Sequence, residues 1–120
     1  MKKEEFIARY KNSPTIVDEK SMHEILDNAL VPIRNDKVGI MNLVVVMEEF
    51  MEAGQAISKY IRKQGDRYNL IEELADAYLC IKYAQKVCGI SDKELNKGIN
   101  VKLDRQKYRN KHFKNKGFSK

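Results

Sequence analysis

The sequence has no tryptophan and only two prolines, two cysteines and two histidines in 120 residues. Both prolines, Pro14 and Pro32, lie in the first third, so the rest of the chain lacks the residue that most strongly interrupts helices. No apolar run approaches the ~20 residues of a membrane span. The N-terminal segment contains lysines but no apolar stretch of a secretory signal, so we expect a cytoplasmic protein.

The few cysteines and histidines also exclude several kinds of site. Cys80 and Cys88 stand eight positions apart in one predicted helix, which separates their Cα atoms by ~12 Å and excludes a mutual disulfide. Without partner histidines they make a poor zinc site, so we interpret both as small core side chains. Neither His23 nor His112 follows a carboxylate at the Glu-x-x-His spacing of di-iron bundles, which argues against iron.

Acidic residues are absent from the C-terminal end. Residues 107–120 carry six basic residues and no acid, whereas residues 1–106 contain 17 of each sign. The net charge of +6 therefore belongs to a basic tail. A neutral body of this kind is not typical of a nucleic-acid-binding domain. The simpler interpretation of the tail is solubility or a frayed end, and the alternative is weak contact with phosphates.

Helical periodicity dominates what remains, so we predict an all-α fold of one domain over residues 1–106. Gly65 and Gly89 are expected to end helices, and Asp66 or Asn69 to cap the helix after Gly65. The run "SDKE" at 91–94 has the pattern of a capping box. Helices are predicted at 3–11, at 18–30, from Asp36 or Val38 to Lys63, from Leu70 to Cys88, and from the capping box onward.

Two acidic clusters lie inside the two most apolar helices. In "EEFME" at 48–52, Glu49 and Glu52 are three apart and therefore neighbours on one side of the helix. In "EELAD" at 72–76, Glu73 and Asp76 repeat this spacing, while Glu48 and Glu72 point elsewhere. Each pair borders the apolar stripe that we expect to form the core, and small residues accompany it. The two stripes are Leu43, Val46, Met47, Phe50, Ile57 and Ile61, then Leu70, Leu74, Ala77, Ile81, Ala84 and Cys88; the small residues are Ala53, Ala56, Ala77 and Cys80.

A short turn joins these helices, so they should pack antiparallel and bring the four carboxylates together. Clustered carboxylates in a partly buried setting repel one another, and a divalent cation removes that conflict. Oxygen-only ligands favour Mg²⁺, with Mn²⁺ also suitable. The alternative is that all four are solvated surface acids, which is the better interpretation for either pair alone. Two matched pairs favour the metal site.

The acidic signature resembles the EExxE…ExxD motif of the MazG-like all-α nucleoside triphosphate pyrophosphohydrolases. The matching residues are Glu48, Glu49, Glu52, Glu73 and Asp76. Downstream, "NVKLDRQ" at 100–106 is similar to that family's Asn-x-Lys segment and supplies Asn100, Lys102 and Arg105. The resemblance covers roughly residues 38–109, and residues 1–35 match nothing in it.

The resemblance implies a helical bundle with a four-helix core built by dimerisation, in a homodimer or homotetramer. It implies hydrolysis of nucleoside triphosphates between the α- and β-phosphates, giving a monophosphate and pyrophosphate, in nucleotide house-cleaning. Mg²⁺ would be held by Glu49, Glu52, Glu73 and Asp76. Glu48 or one of these ligands would accept the proton of the attacking water. The phosphates would contact Asn100, Lys102 and Arg105, although a solvated basic helix face explains the two cations equally well.

The base pocket and two rival functions complete these expectations. Tyr60, Tyr78 or Tyr83 could stack on a base, although tyrosines at helical spacing are more often core residues. One rival is a non-catalytic helical dimerisation module without metal dependence. The other is a small nucleic-acid-binding protein that uses the basic tail and shows steep salt dependence. The four acids argue against the first rival, and the neutral body argues against the second.

Overall fold

The computed structural model describes residues 1–28 and 37–112, and these residues form five α-helices without a strand. Three predicted features lie outside the described residues: the end of the second helix at 29–30, the possible start of the third helix at Asp36, and the tail beyond residue 112. All-α architecture is therefore confirmed for the described chain. The helices are α1 (Lys3–Lys11), α2 (Glu19–Asn28), α3 (Lys37–Ile61), α4 (Arg67–Cys88) and α5 (Asp92–His112).

Side chains at the helix starts satisfy backbone amides that have no partner within the helix. Asp66 Oδ1 accepts a hydrogen bond from the Asn69 amide at 2.8 Å, so Asp66 rather than Asn69 caps α4. At the start of α5, Ser91 Oγ accepts from the Glu94 amide and Glu94 Oε1 accepts from the Ser91 amide, both at 3.1 Å. The predicted capping box is thus confirmed.

The turn between α3 and α4 differs from the expectation at one residue. Lys63, not Gly65, adopts the left-handed conformation, with φ of 59°, while Gly89 after α4 does so as predicted with φ of 68°. Gly65 has another role, because a Cβ there would lie 3.2 Å from Cβ of Lys59. The glycine therefore allows the turn to close tightly on the end of α3.

Helix α4 is the central element of the first part of the chain, since it packs along α3 and also contacts α1 and α2. Against α4, α3 presents mainly small or branched residues, namely the buried Val46, Ala53 and Ala56. Val87 is the buried apolar residue that α4 contributes. The small side chains allow two long helices to approach closely, so their backbones carry the acidic pairs to one place.

The predicted apolar stripes describe this contact only in part, because Leu70, Ala77 and Ala84 are half-buried as expected but most of the larger side chains are exposed. Val46 is buried and Leu43 is half-buried, but Met47 and Ile61 are 61% and 72% exposed. Phe50, Ile57, Leu74 and Ile81 are also more than one-third exposed, and so is Cys88, which is not a core residue. The reason is geometric: α4 packs on the alanine side of α3, and the largest apolar side chains lie roughly a quarter turn or more away.

The N-terminal helices are attached to α4 by polar and aromatic contacts. Lys3 forms an ion pair with Asp66, and Tyr10 meets Tyr68 edge to face with ring centroids 5.6 Å apart. From α2, Asp27 forms an ion pair with Lys86 at 2.7 Å. Such partly exposed ion pairs contribute little stability individually, so they orient α1 and α2 more than they hold them.

The chain divides into two compact units, Met1–Cys88 and the part that begins at Gly89. The first unit contains α1 to α4, and α5 belongs to the second. Whether one domain extends to residue 106 stays a prediction. Among the described helices, no stretch combines the length and the apolar character needed to cross a bilayer.

Enlarging a small residue between α3 and α4 should destabilise the protein. Ala53 is only 7% exposed, so Ala53→Leu forces side chains or backbone to shift, and we expect a loss of about 1–3 kcal/mol in the free energy of unfolding. Urea titration followed by circular dichroism measures it. The exposed Ala75 on α4 gives the matched control, because Ala75→Leu has room and should change stability by less than about 0.5 kcal/mol. Equal losses in the two variants would contradict the described packing.

Candidate metal centre

The acids of α3 lie on the side of the helix that packs against α4. Glu49 follows the buried Val46 by three positions and precedes the buried Ala53 by four, so it extends the same side of the helix. Glu49 is consequently half-buried, whereas Glu52 at the margin of this side is exposed. Glu48 is exposed as predicted.

The acids of α4 lie opposite the acids of α3. Glu73 and Asp76 are both half-buried, and so are the small residues Ala77 and Cys80 that follow them on the same side. The predicted neighbours are therefore present on both helices. They keep the helices close enough for carboxylates of different helices to approach each other.

Three carboxylates come together between the helices. Glu49, Glu52 and Glu73 each offer an oxygen atom, and these atoms all lie within 4.8 Å of one another. We call these three residues the acidic cluster. Asp76 is not one of the three, although its charge raises the pKa values of Glu49 and Glu73. Exposed acidic groups often lie close together without binding an ion, so the distance is compatible with a cation and does not by itself identify one.

Burial and mutual repulsion disfavour the charged forms of Glu49 and Glu73. Burial, and then the charges of Glu52, Asp76 and Glu48, raise the pKa of Glu49 above its ordinary value of 4.5. Burial, and then chiefly Asp76 and Glu52, raise the pKa of Glu73 in the same way. The Cys80 thiol also has a raised pKa, because of burial first and of Glu49 and Asp76 second. Negative charge is therefore concentrated here without a described cation to balance it.

One oxygen atom of Glu73 provides the strongest indication that the cluster could bind a cation. Its Oε2 atom is buried and has no hydrogen-bond partner within the described part of the protein. An unsatisfied buried carboxylate oxygen is costly, and a bound cation would satisfy it. The donor set contains only carboxylate oxygens, which suits a hard divalent cation such as Mg²⁺. The residues present thus fit the predicted ion.

The predicted phosphate contacts lie on another unit. Asn100, Lys102 and Arg105 are all exposed residues of α5. Because α5 belongs to the second unit, their part in this site stays a prediction.

Aromatic residues near the cluster were missed by the sequence analysis. Of the tyrosines considered for a base, Tyr60 and Tyr78 are about half exposed and Tyr83 is half-buried. Tyr68 instead lines a cavity whose wall also includes Glu73. The position of Tyr68 directly after the turn, five residues before Glu73, could have indicated that it lies near the acids. The opposite wall of the cavity comes from α1, whose packing on α4 the sequence did not predict.

Comparison with models of protein families, with curated proteins and with solved structures finds no match for this chain. The resemblance to the MazG-like family therefore stays a prediction. The functional argument depends on the geometry of the acidic cluster and on the chemistry of its residues.

In the absence of divalent cations, the protein should become more stable as the pH falls through the raised pKa values of Glu49 and Glu73 toward about 5. Glu49 and Glu73 have folded-state pKa values above the ordinary 4.5, so the folded state binds more protons than the unfolded state across this window. Stability present at the acidic end is lost as the pH rises through the folded pKa. Thermal unfolding in EDTA at several pH values measures the trend, and Glu73→Gln should flatten it.

The control is Glu24→Gln, which removes an exposed acid of α2 away from the cluster and should leave the trend intact. Asp66 and Glu94 have lowered pKa values, so the stability they add is lost only at more acidic pH and does not obscure the window. A Glu73→Gln protein with the same pH profile as the unaltered protein would show that the cluster is fully solvated.

Proposed function

We propose that this protein hydrolyses nucleoside triphosphates between the α- and β-phosphates, with Mg²⁺ as cofactor, and releases a monophosphate and pyrophosphate. The observation that carries the proposal is the approach of Glu49, Glu52 and Glu73 within 4.8 Å at a partly buried contact of two helices. A surface that merely needs solubility has no reason to gather acids where burial raises their pKa.

The chemistry of phosphate transfer agrees with such a site. The nucleotide brings several negative charges, and hydrolysis requires their neutralisation more than it requires a covalent intermediate. Mg²⁺, when bound, supplies that neutralisation and makes a water molecule more acidic. Glu49, Glu52 and Glu73 would hold the ion, with Asp76 beside them, and the buried Oε2 of Glu73 would gain its missing partner.

The remaining roles follow from exposure and charge. Glu48 is exposed next to the cluster, so it or one of the ligands would take the proton of the attacking water. Lys102 and Arg105, three residues apart on α5, would hold the phosphates together with Asn100. A house-cleaning role in the cytoplasmic nucleotide pool is the corresponding biological proposal.

The second candidate function is a helical dimerisation module without catalysis. The exposed apolar side chains favour it, because association would bury them whether or not the acids bind a metal. Nucleic-acid binding by the basic tail, residues 107–120, is a weaker alternative, since residues 1–106 carry equal numbers of basic and acidic residues. Activity and metal dependence separate the first of these rivals from the enzyme.

Turnover of nucleotides is the direct test. Incubated with NTPs and dNTPs and Mg²⁺, the protein should release a monophosphate and pyrophosphate, which ion-exchange chromatography separates. EDTA should abolish the reaction, and Glu49→Gln should lower kcat/KM by about a hundredfold or more, because it removes a charged ligand from the centre. Glu24→Gln, on an exposed part of α2, is the matched control and should retain full activity.

Two outcomes would decide against the proposal. Orthophosphate as the product would leave the metal site standing but exclude cleavage between the α- and β-phosphates. A folded protein that hydrolyses no nucleotide with either Mg²⁺ or Mn²⁺ would favour the non-catalytic module.

We also propose that two copies of the chain associate through the apolar face, which we define by its exposed residues. At 100° per residue, its two rows fall on the same side of the antiparallel α3–α4 pair, and α1 contacts α4 on the opposite side. No side chain in the described chain is less than 2% exposed, so one copy has a thin core that a second copy would complete. The apolar face consists of Met47, Phe50, Met51, Ile57 and Ile61 on α3 and of Leu74, Tyr78 and Ile81 on α4.

Light scattering coupled to size-exclusion chromatography tests the association. The unaltered protein should have the mass of two or four chains, and Phe50→Glu should shift it toward the monomer, because a buried unpaired carboxylate opposes the contact. Ile16→Glu is the control, since Ile16 is 81% exposed but lies before α2, outside the apolar face. A monomeric unaltered protein at micromolar concentration would refute the association.

A further inference from the structure

A cavity of about 220 Å³ lies between α1 and the start of α4. Phe6 from α1 and Tyr68 from α4 contribute aromatic rings to its wall, and Asn69, Glu72 and Glu73 contribute polar groups. Met1 and Lys3 complete the lining. The cavity has no role in the metal centre as described, and it is built partly by the N-terminal segment for which the sequence suggested no function.

Glu73 belongs both to this cavity and to the acidic cluster. The cluster and the cavity are therefore neighbours, so a molecule bound at the cluster would have its far end close to the cavity. The cavity is smaller than the roughly 300–1,000 Å³ of pockets that enclose a whole drug-sized ligand, so it suits one ring system rather than a complete nucleotide.

Charge decides which end of a nucleotide enters. Lys3 and the α-ammonium of Met1 are the cationic groups of the described lining, and Lys3 is already paired with Asp66, whereas Glu72 and Glu73 add two carboxylates. Such a lining has no excess of positive charge to attract phosphates, which are better suited to the cation side of Glu73. The uncharged base is the part of a nucleotide that the cavity can accept, and its flat faces match the rings of Phe6 and Tyr68.

The polar groups further restrict the base. An ionised carboxylate accepts hydrogen bonds and donates none, so Glu72 pairs well with an amino group and poorly with a carbonyl oxygen. Cytosine, adenine and guanine carry an exocyclic amino group, whereas uracil and thymine do not. The side-chain amide of Asn69 both donates and accepts, so it accommodates the ring edge of any base.

We propose that this cavity is the base-binding subsite and that Glu72 gives it a preference for bases with an exocyclic amino group. The inference rests on the proposed function for its substrate class. It assigns a role in specificity to residues outside the acidic signature, namely Phe6, Tyr68, Asn69 and Glu72.

The test compares kcat/KM for dCTP and dUTP, two pyrimidine substrates that differ at the position of the amino group. The full-length protein with Mg²⁺ should favour dCTP by about tenfold or more, as expected for a hydrogen bond to a charged acceptor. Glu72→Gln replaces the acceptor by a group that also donates, so the preference should shrink or reverse. Glu24→Gln, the matched exposed acid of α2, should keep it.

Stacking is tested by two variants of one residue. Tyr68→Leu should raise KM for both nucleotides with little change in kcat, whereas Tyr68→Phe keeps the ring and should retain the KM of the unaltered protein. Circular dichroism and thermal unfolding show whether α1 remains attached when the contact of Tyr10 with Tyr68 is altered. Should Tyr68→Leu unfold, Glu72→Gln and Tyr68→Phe still carry the test.

A direct binding measurement separates this inference from the proposed function. In NMR titrations with dCTP, the ring signals of Phe6 and Tyr68 should shift, and those of Tyr78 on the apolar face should not. Turnover with equal use of dCTP and dUTP, unchanged in Glu72→Gln, would overturn the inference and leave the function intact. Absence of turnover together with shifted Phe6 and Tyr68 signals would overturn the function and keep the subsite. Absence of such shifts would overturn the subsite.

Discussion

Burial and mutual repulsion of carboxylates at the contact of α3 and α4 are the constraint on which the rest of the structure depends. The two helices approach closely because Ala53 and Ala56 leave little side chain between them. The same closeness brings Glu49 and Glu73 into a partly buried position where the charged form of each is disfavoured. A contact built for stability alone would have placed leucines here. The arrangement is understandable if the contact exists to hold something positively charged.

This use of the contact has a consequence for the hydrophobic core. Alanines bury little apolar area, so the pair of helices gains less from its own contact than the length of the helices would allow. The large apolar side chains are instead on the apolar face, where Met47 and Ile61 are mostly exposed. Separation of the two tasks follows: one side of α3 positions the acids, and another side offers the area that association would bury. A second copy of the chain would then supply stability that the acidic contact does not.

The predictable features of this fold are local ones. Asp66 and the Ser91–Glu94 box cap helices because such caps depend only on residues three positions apart. The gathering of the acids followed from spacing and a short turn, and the structure brings three of the four predicted ligands within 4.8 Å. The packing face of α3 was predictable only in part: Ala53 and Ala56 were expected to let another helix come close, but the core was placed on the most apolar side. A helical wheel marks the most apolar side, whereas the contact with α4 uses the side with the smallest residues.

Features that depend on distant parts of the chain were missed for the same reason. The left-handed residue at the turn is Lys63, whereas the glycine two positions later lies where a Cβ would approach Lys59 closely. The cavity forms only because α1 packs against α4, and no sequence pattern in residues 1–11 predicts that contact. The contact of Tyr10 with Tyr68 and the ion pair of Lys3 with Asp66 hold α1 in the position that forms the aromatic wall of the cavity.

Glu73 connects the two proposed parts of the site and therefore couples them. One carboxylate that borders both the acidic cluster and the cavity cannot change its surroundings on one side without effect on the other. A cation held at Glu73 would attract the phosphates of a nucleotide whose base occupies the cavity, so the nucleotide should bind more tightly once the metal is present. Thermodynamic linkage makes this reciprocal: the nucleotide must strengthen metal binding by the same factor. A nucleotide with both phosphates and a fitting base would thus strengthen metal binding and its own binding together. Free phosphate or a free nucleoside would make only one of the two sets of contacts and should bind more weakly.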